Sequence, residues 1–351
     1  MGAHARVRAG SRWRGFADDT AHDAHGFSDR VPALDIYRPD FNPAWVLINR
    51  YRWDFSQHSI YSSVRIKALD TVTVVLGARS LRKLTYTTRT DLPNYVPTSD
   101  LHVSNETTPY AGVIWDISHD LSLYASYAEQ FTPQALVSAS GSILPPIQGK
   151  QVETGIKSDF FDERLNASLA LYRIRENNRS LVDPDNMGCP PFGICFIPSG
   201  LVQSQGVEAE VRGSPMHGLQ LIAGYTYNQN KYLEEAPDRI GQQFNGRTPW
   251  HLFKVWGTYQ LTNGGLEAAS SGWTVGAGVI VQSSTFASDL VKQGGYAVAS
   301  ASVSYRFNPK TALTLNANNL FDRHYLQSIQ VSSGNHFGTP LNAQLTIRHQ
   351  F

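Results

Sequence analysis

The chain has 351 residues, a net charge of +1 and 41% hydrophobic residues, a length suited to two ordinary domains or one large sheet. The charge is far from the strong basic excess that phosphate binding requires, which argues against a nucleic-acid protein. Aromatics are plentiful (7 Trp, 16 Tyr, 16 Phe), Gly reaches 28, and no run of 18 apolar residues occurs; this mix favours strands and excludes a helical membrane span, but not a barrel of alternating strands.

The N-terminus, MGAHARVRAG, lacks the charged region and apolar core of a signal peptide. Either a mature chain begins here or this is a piece of something longer. The first predicted strand, HARVRAGSRWRGF, places His4, Arg6, Arg8, Arg12 and Arg14 at even positions and Ala5, Val7, Ala9, Ser11 and Trp13 at odd ones. A strand with that pattern is basic on one face and apolar or small on the other. Alternation returns in LQLIAGYTYNQ, in YAVASASVSYRF and most cleanly in the tail, where Leu341, Ala343, Leu345, Ile347 and Phe351 share a face opposite Asn342, Gln344, Thr346, Arg348 and Gln350.

About fourteen strands are predicted, near residues 3–16, 57–69, 71–88, 105–117, 120–131, 148–160, 164–180, 199–213, 217–233, 248–262, 271–284, 293–307, 311–325 and 339–351. The connections alternate. Short turns fall at LDT, SHD, FFDER, GSPMHG and FNPK; long loops fall at 17–56, 89–104, 132–147, 181–198, 234–247, 285–292 and 326–338. Alternation alone also suits a soluble sandwich. Sorting of short turns to one end and long loops to the other fits an antiparallel up-and-down transmembrane β-barrel better than a Greek-key sandwich. In that arrangement Arg6, Arg8, Arg12 and Arg14 face a watery lumen, because arginine on the lipid face costs about 2–4 kcal/mol at the midplane. Tyr124, Tyr127, Phe160, Phe161, Trp250, Tyr259, Trp273, Tyr305 and Phe307, near strand ends, are girdle candidates.

Cys189 and Cys195 lie six residues apart in DNMGCPPFGICFIP. They close a small ring as a disulfide or stand as two free thiols; the spacing is not C-x-x-C and no His lies nearby, so a metal site is disfavoured. His22 and His25 beside Asp18, Asp19 and Asp23 read as a solvated polar loop rather than a metal site. No G-x-S-x-G, H-E-x-x-H or P-loop pattern occurs. No enzyme, cofactor or metal is expected.

IYSSVRIKALDTVTVVLGARS reads as a hairpin ending in G-x-R at Gly77 and Arg79. The next hairpin ends in Y-x-S-Y-x-x-x-F-x-P at Tyr124, Ser126, Tyr127, Phe131 and Pro133. KQVETGIKSDFFDERLNASLALYRIRENN, SQGVEAEVRG, TPWHLFKVWGTYQL and LTLNANNLFDRHYL follow, and the chain ends on Phe351. In this order these segments resemble strands of the C-terminal half of TonB-dependent outer-membrane receptors, particularly ferric-siderophore receptors. Tyr110 and Trp250 stand where arginine is usual after T-P, and His349 where an aromatic is common. The resemblance covers nearly all of the chain from residue 30 onward.

That resemblance implies a 22-stranded barrel with an N-terminal plug. The chain looks like the last fourteen strands, one partial-barrel domain over residues 1–351 with no plug, from a truncated or split reading frame. The expectation is a curved, incomplete barrel with free edge strands, with closure as a smaller barrel the alternative. The implied function is binding and gated uptake of a ferric siderophore, with TonB acting only through the missing N-terminal part. Loop candidates for the ligand are Tyr37, Trp45, Tyr51, Trp53, Tyr95, Phe192, Phe196 and His336. Leu345, Ile347 and Phe351 would form the insertion signal read by the barrel assembly machinery, with outer-membrane lipid as surroundings. The rivals are a passive fourteen-strand channel or fatty-acid-type transporter, and a soluble adhesin.

Overall fold

The computed structural model describes residues 3–21, 46–90, 100–103, 105–134, 136–187, 194–262, 270–287, 291–330 and 334–351; for residues 3–21, 46–55, 86–90, 100–102, 184, 187, 262, 270 and 271 it describes the backbone alone. The strands in chain order are β1 (Ala3–Ala21), β2 (Val46–Leu69), β3 (Val72–Thr90), β4 (Asp100–Val103), β5 (Glu106–Ser118), β6 (Leu121–Thr132), β7 (Ile147–Phe160), β8 (Leu165–Met187), β9 (Ile194–Gly213) and β10 (Leu219–Glu234). They continue as β11 (His251–Thr262), β12 (Ser270–Gln282), β13 (Thr285–Phe286), β14 (Lys292–Gln293), β15 (Tyr296–Asn308), β16 (Thr311–Asn318), β17 (Leu326–Ser328), β18 (His336–Phe337) and β19 (Asn342–His349). One antiparallel sheet takes fourteen of them in sequence order, skipping β4, which pairs with β3, and the ribbons β13–β14 and β17–β18.

The fourteen-strand expectation holds, and each predicted strand has its counterpart. The differences lie at the long-loop end. β1 runs to Ala21 and β2 starts at Val46, so strand pairing occupies part of the expected loop 17–56. β8 and β9 likewise extend to Met187 and from Ile194. The last part of the expected strand 311–325 is a turn instead: Asn319, at φ 53°, ends β16, and its side chain bonds the backbone of Arg323 and Thr339. No pairing joins β1 to β19 among the described residues, so the path ends on two edges, as expected for the incomplete wall.

Register sorts the side chains into two faces. One row collects Leu76, Val113, Trp115, Val152, Leu171, Val275, Val303, Leu315 and Leu345, each between 38% and 63% exposed. Opposite them lie Thr73, Ser126, Glu153, Glu208, Thr226, Ser302, Thr314 and Gln344. A soluble protein does not leave so wide an apolar face open, whereas a wall against hydrocarbon requires it. Ile222 and Ile280 are exceptions, apolar residues on the polar face.

Among the described residues the polar face has no central core. Its buried apolar cluster (Leu81, Leu84 and Val103, packed by Phe131 and Ile143) lies near the long-loop end. Below it, glycines face aromatic rings across the ladder: Gly77 opposite Tyr110, Gly155 opposite Tyr124, Gly206 opposite Tyr172 and Gly278 opposite Trp256. A Cβ at Gly155 would come within 2.7 Å of the Tyr124 ring, and one at Gly278 within 2.5 Å of Trp256. Each ring lies over its glycine and covers backbone that would otherwise be bare.

Candidate functional site: the polar wall and its loop rim

The pairings that seat those rings also gather charge. β3 sends Arg79 and β2 sends Tyr61 to the same level, directly opposite each other. Tyr110 follows on β5, Tyr124 on β6 and Lys157 on β7. Together with Phe131 they line a cavity of about 670 Å³. The Tyr124 hydroxyl donates to Glu153 at 2.7 Å, and Lys157 Nζ lies 5.0 Å from the Tyr124 ring centroid. Farther along, the Tyr172 hydroxyl donates to Asn228 at 3.0 Å, and Ser204 donates to the same oxygen at 2.6 Å. The wall therefore offers flat aromatic area, two cations and hydrogen-bonding groups, a surface suited to a large, partly aromatic, anionic ligand.

The loops above form a connected rim. Gln134 Nε2 donates to the Asn178 carbonyl at 2.7 Å, and Phe196 N–H donates to the Val137 carbonyl at 3.0 Å. Arg179, paired with Glu176 at 2.9 Å, lies 5.5 Å from the Phe244 ring centroid, which also meets Tyr232. The Phe286 N–H donates to Gly246, Leu326 N–H donates to Gln293, and Tyr296 stacks on Tyr325 at 4.3 Å. Five successive connections thus hold one another by backbone bonds and ring contacts.

Of the ligand candidates from sequence, Phe196 lies half-buried on β9 at this rim and His336 is exposed on β18. Tyr51 and Trp53 fall on β2 opposite Thr90 and Thr88, but their side chains lie outside the described residues, as do Tyr37, Trp45, Tyr95 and Phe192 altogether. Arg6 and Arg8 stand opposite Ser63 and Tyr61; a register shift follows between Ala9 and Ser11, and Arg12 and Arg14 stand opposite Ser56 and Asp54. The side chains of these four arginines are outside the described residues. Cys195 is buried and disulfide-bonded, while Cys189, the only other cysteine in the chain, lies outside the described residues. Leu345 and Ile347 are exposed on the apolar face of β19, and Phe351 is exposed beyond the end of that strand. Asp18 and Asp19 fall on the backbone of β1, and His22, Asp23 and His25 outside the description.

Among the girdle candidates, Tyr124 belongs to the polar face, since it pairs with Ile114 and Gly155 in the row of Glu153 and Lys157. Tyr127, an odd number of residues away, lies on the other row. Trp273, Tyr305 and Phe307 do cluster at the short-turn end, with centroids 4.6 and 4.8 Å apart. The Arg79, Tyr61, Tyr110 and Lys157 grouping escaped sequence reasoning, because only register brings the four strands together. The signal available was the G-x-R of Gly77 and Arg79.

Known proteins resemble this chain in sequence and in fold. The family described as TonB dependent receptor-like, beta-barrel matches residues 1–320. The ferric-pyoverdine M114 receptor PbuA of Pseudomonas sp. (strain M114) is 38% identical over 309 residues, 84% of this chain and 36% of its own length. The ferric-pyoverdine 358 receptor of Pseudomonas putida is 35% identical, over 70% of this chain and 29% of its own. The solved ferripyoverdine receptor of the outer membrane of Pseudomonas aeruginosa, bound to ferripyoverdine, superimposes with a TM-score of 0.71 at 26% identity, covering 90% of this chain and 41% of that one. The alcaligin outer-membrane receptor FauA of Bordetella pertussis gives 0.64 at 31% identity, over 77% and 44%. The chain spans between 29% and 36% of the length of the two curated relatives. With its two-faced sheet, its sorted loops and this match, the chain belongs to the TonB-dependent receptor β-barrel family of the bacterial outer membrane.

Proposed function

We propose that the chain supplies wall and loop rim to a receptor that binds ferric siderophores at the cell surface and passes them inward with TonB. The observation that carries this reading is the cavity lined by Tyr61, Arg79, Tyr110, Tyr124 and Lys157 on the polar face. Cations on a wall beside low-dielectric hydrocarbon attract an anionic chelate, and tyrosine rings give it contact area. The chain acts by binding and passage rather than catalysis. Arg6, Arg8, Arg12 and Arg14 are assigned to the same face, where they add positive potential. Phe196 and His336, with Tyr37, Trp45, Tyr51, Trp53, Tyr95 and Phe192, are assigned to the rim that first meets the ligand, and a Cys189–Cys195 disulfide to holding it. Lipid surrounds the apolar face, and the barrel assembly machinery reads the tail ending in Phe351.

A passive fourteen-strand pore needs β1 paired with β19, which is not the arrangement among the described residues. Ferripyoverdine is the first ligand to test, given the names of the relatives. Fluorescence quenching with the whole chain in detergent should show saturable binding, weakened about tenfold or more in Arg79→Gln/Lys157→Gln through the loss of charge-assisted bonds. Saturable binding that the double substitution leaves untouched, for this and other ferric chelates, contradicts the proposed wall site.

A further inference from the structure

The outward row changes character abruptly at the long-loop end of β7, β8 and β9. Val152 is 49% exposed, Leu169 45% and Leu171 53%. The next outward positions are Lys150 on β7, then Arg173 and Arg175 on β8, with Arg173 opposite Val152 and Arg175 opposite Lys150. Val152 to Phe160 on β7 covers about nine residues, roughly what a tilted strand needs to cross hydrocarbon. The three cations therefore stand at the boundary, where an outward arginine costs only about 0–1 kcal/mol.

A hydrogen-bonded ladder holds this shelf. Arg175 Nε donates to Gln203 at 2.9 Å, Gln203 Nε2 donates to Gln205 at 3.1 Å, and Gln205 Nε2 donates to Gln229 at 3.3 Å. Gln203 is 5% exposed, so the ladder is anchored rather than loose. The bond uses Nε of Arg175; among the described residues no acceptor takes its terminal nitrogens, and none takes Arg173. Lys150 lies 4.0 Å from Glu129, which also accepts from the Tyr127 hydroxyl. A cavity of about 720 Å³ lies among Tyr127, Lys150, Val152, Arg173, Arg175 and Leu201, with Glu234 the acid on its wall.

We infer that this outward cavity binds the phosphate-bearing headgroup of an anionic outer-leaflet lipid. The inference rests on the membrane reading of the apolar face. Two guanidinium forks and an ammonium match phosphate oxygens, and Val152 and Leu201 supply the apolar side that a free ion would not use. The neighbouring hydrocarbon lowers the local dielectric and strengthens the attraction.

The test uses the whole chain, delipidated in detergent, titrated calorimetrically with dihexanoyl phosphatidic acid, dihexanoyl phosphatidylcholine and inorganic phosphate. Phosphatidic acid should bind at least about tenfold tighter than either of the others. Lys150→Gln/Arg173→Gln should remove that preference, Arg173→Lys should remove part of it, and Lys254→Gln/Arg306→Gln, on the opposite face, should leave it. Circular dichroism of each variant confirms the sheet. Equal affinity for phosphatidic acid and phosphatidylcholine, or a preference that survives Lys150→Gln/Arg173→Gln, overturns the site alone. Inorganic phosphate binding as tightly as phosphatidic acid overturns its assignment to lipid. A chain that stays out of membranes overturns the parent reading and this site with it.

Discussion

His119 shows how much a single exposed side chain can report. It sits in the short turn between β5 and β6, outside the spanning segments, with Nδ1 2.6 Å from Asp120. The hydrogen bond to Asp120, with the charges of Asp120 and Glu163, raises its pKa above the ordinary 6.5. The folded turn therefore holds the proton more tightly than the unfolded chain. Its stabilising contribution is fully present below the unfolded value and disappears as pH rises through the higher folded value. NMR titration of the imidazole should give a midpoint above 6.5 that falls toward it in Asp120→Asn; a midpoint at or below 6.5 in the unsubstituted chain contradicts the pairing. The aspartate was visible in the sequence as a turn residue, but nothing in S-H-D said which partner the histidine would choose. Tyr124 and Tyr127 make the same point. Both are near a strand end in the sequence, yet their odd spacing forces them to opposite faces, a constraint that period two imposes and position near a strand end does not reveal.

Strands and turns were the most legible level. Alternation fixed where each strand lay, because period two marks a wall with different media on its two sides. What alternation could not supply was register, and register creates the glycine–aromatic pairs. Gly278→Ala should destabilise the folded chain by about 1–3 kcal/mol, since the new Cβ meets the Val255 carbonyl oxygen at 2.4 Å and the Trp256 ring at 2.5 Å. Gly112→Ala, on the same face but with its nearest contact at 3.6 Å, should be tolerated. Urea midpoints of the two variants in detergent check this, and equal midpoints would show that the Gly278 site is not closed by the Trp256 ring and the Val255 carbonyl. The β7–β8 turn carries a different strain: Phe161, Asp162 and Glu163 have φ of 58°, 55° and 63°. Left-handed backbone costs a side-chain-bearing residue about 1–2 kcal/mol. Glu163→Gly should therefore raise the midpoint by the equivalent of about 1 kcal/mol, and a lowered midpoint would mean that the turn is not left-handed. F-F-D-E-R offers neither Asn-Gly nor Gly, so its geometry was hidden from a reading by turn residues.

For the whole molecule, the sorting of short turns and long loops to opposite ends already distinguished a barrel wall from a sandwich, and the sheet order follows it strand by strand. The surface proposed to face the ligand was much less legible. Aromatic residues in long loops are conspicuous in a sequence, whereas Tyr61, Arg79, Tyr110 and Lys157 come from four strands and meet only when these pair. The apolar face and the polar face make the central claim: hydrocarbon lies on one side of this sheet and water on the other. Single cysteines placed in the chain in outer membranes, and probed with a membrane-impermeant maleimide and with lipid-borne nitroxide quenchers, test it most directly. Positions 113, 171 and 303 should resist the maleimide and be quenched from the lipid, while positions 126, 226 and 302 should label and escape quenching. Uniform labelling of both rows, or recovery of the chain in the soluble fraction with the first row unquenched, would contradict it.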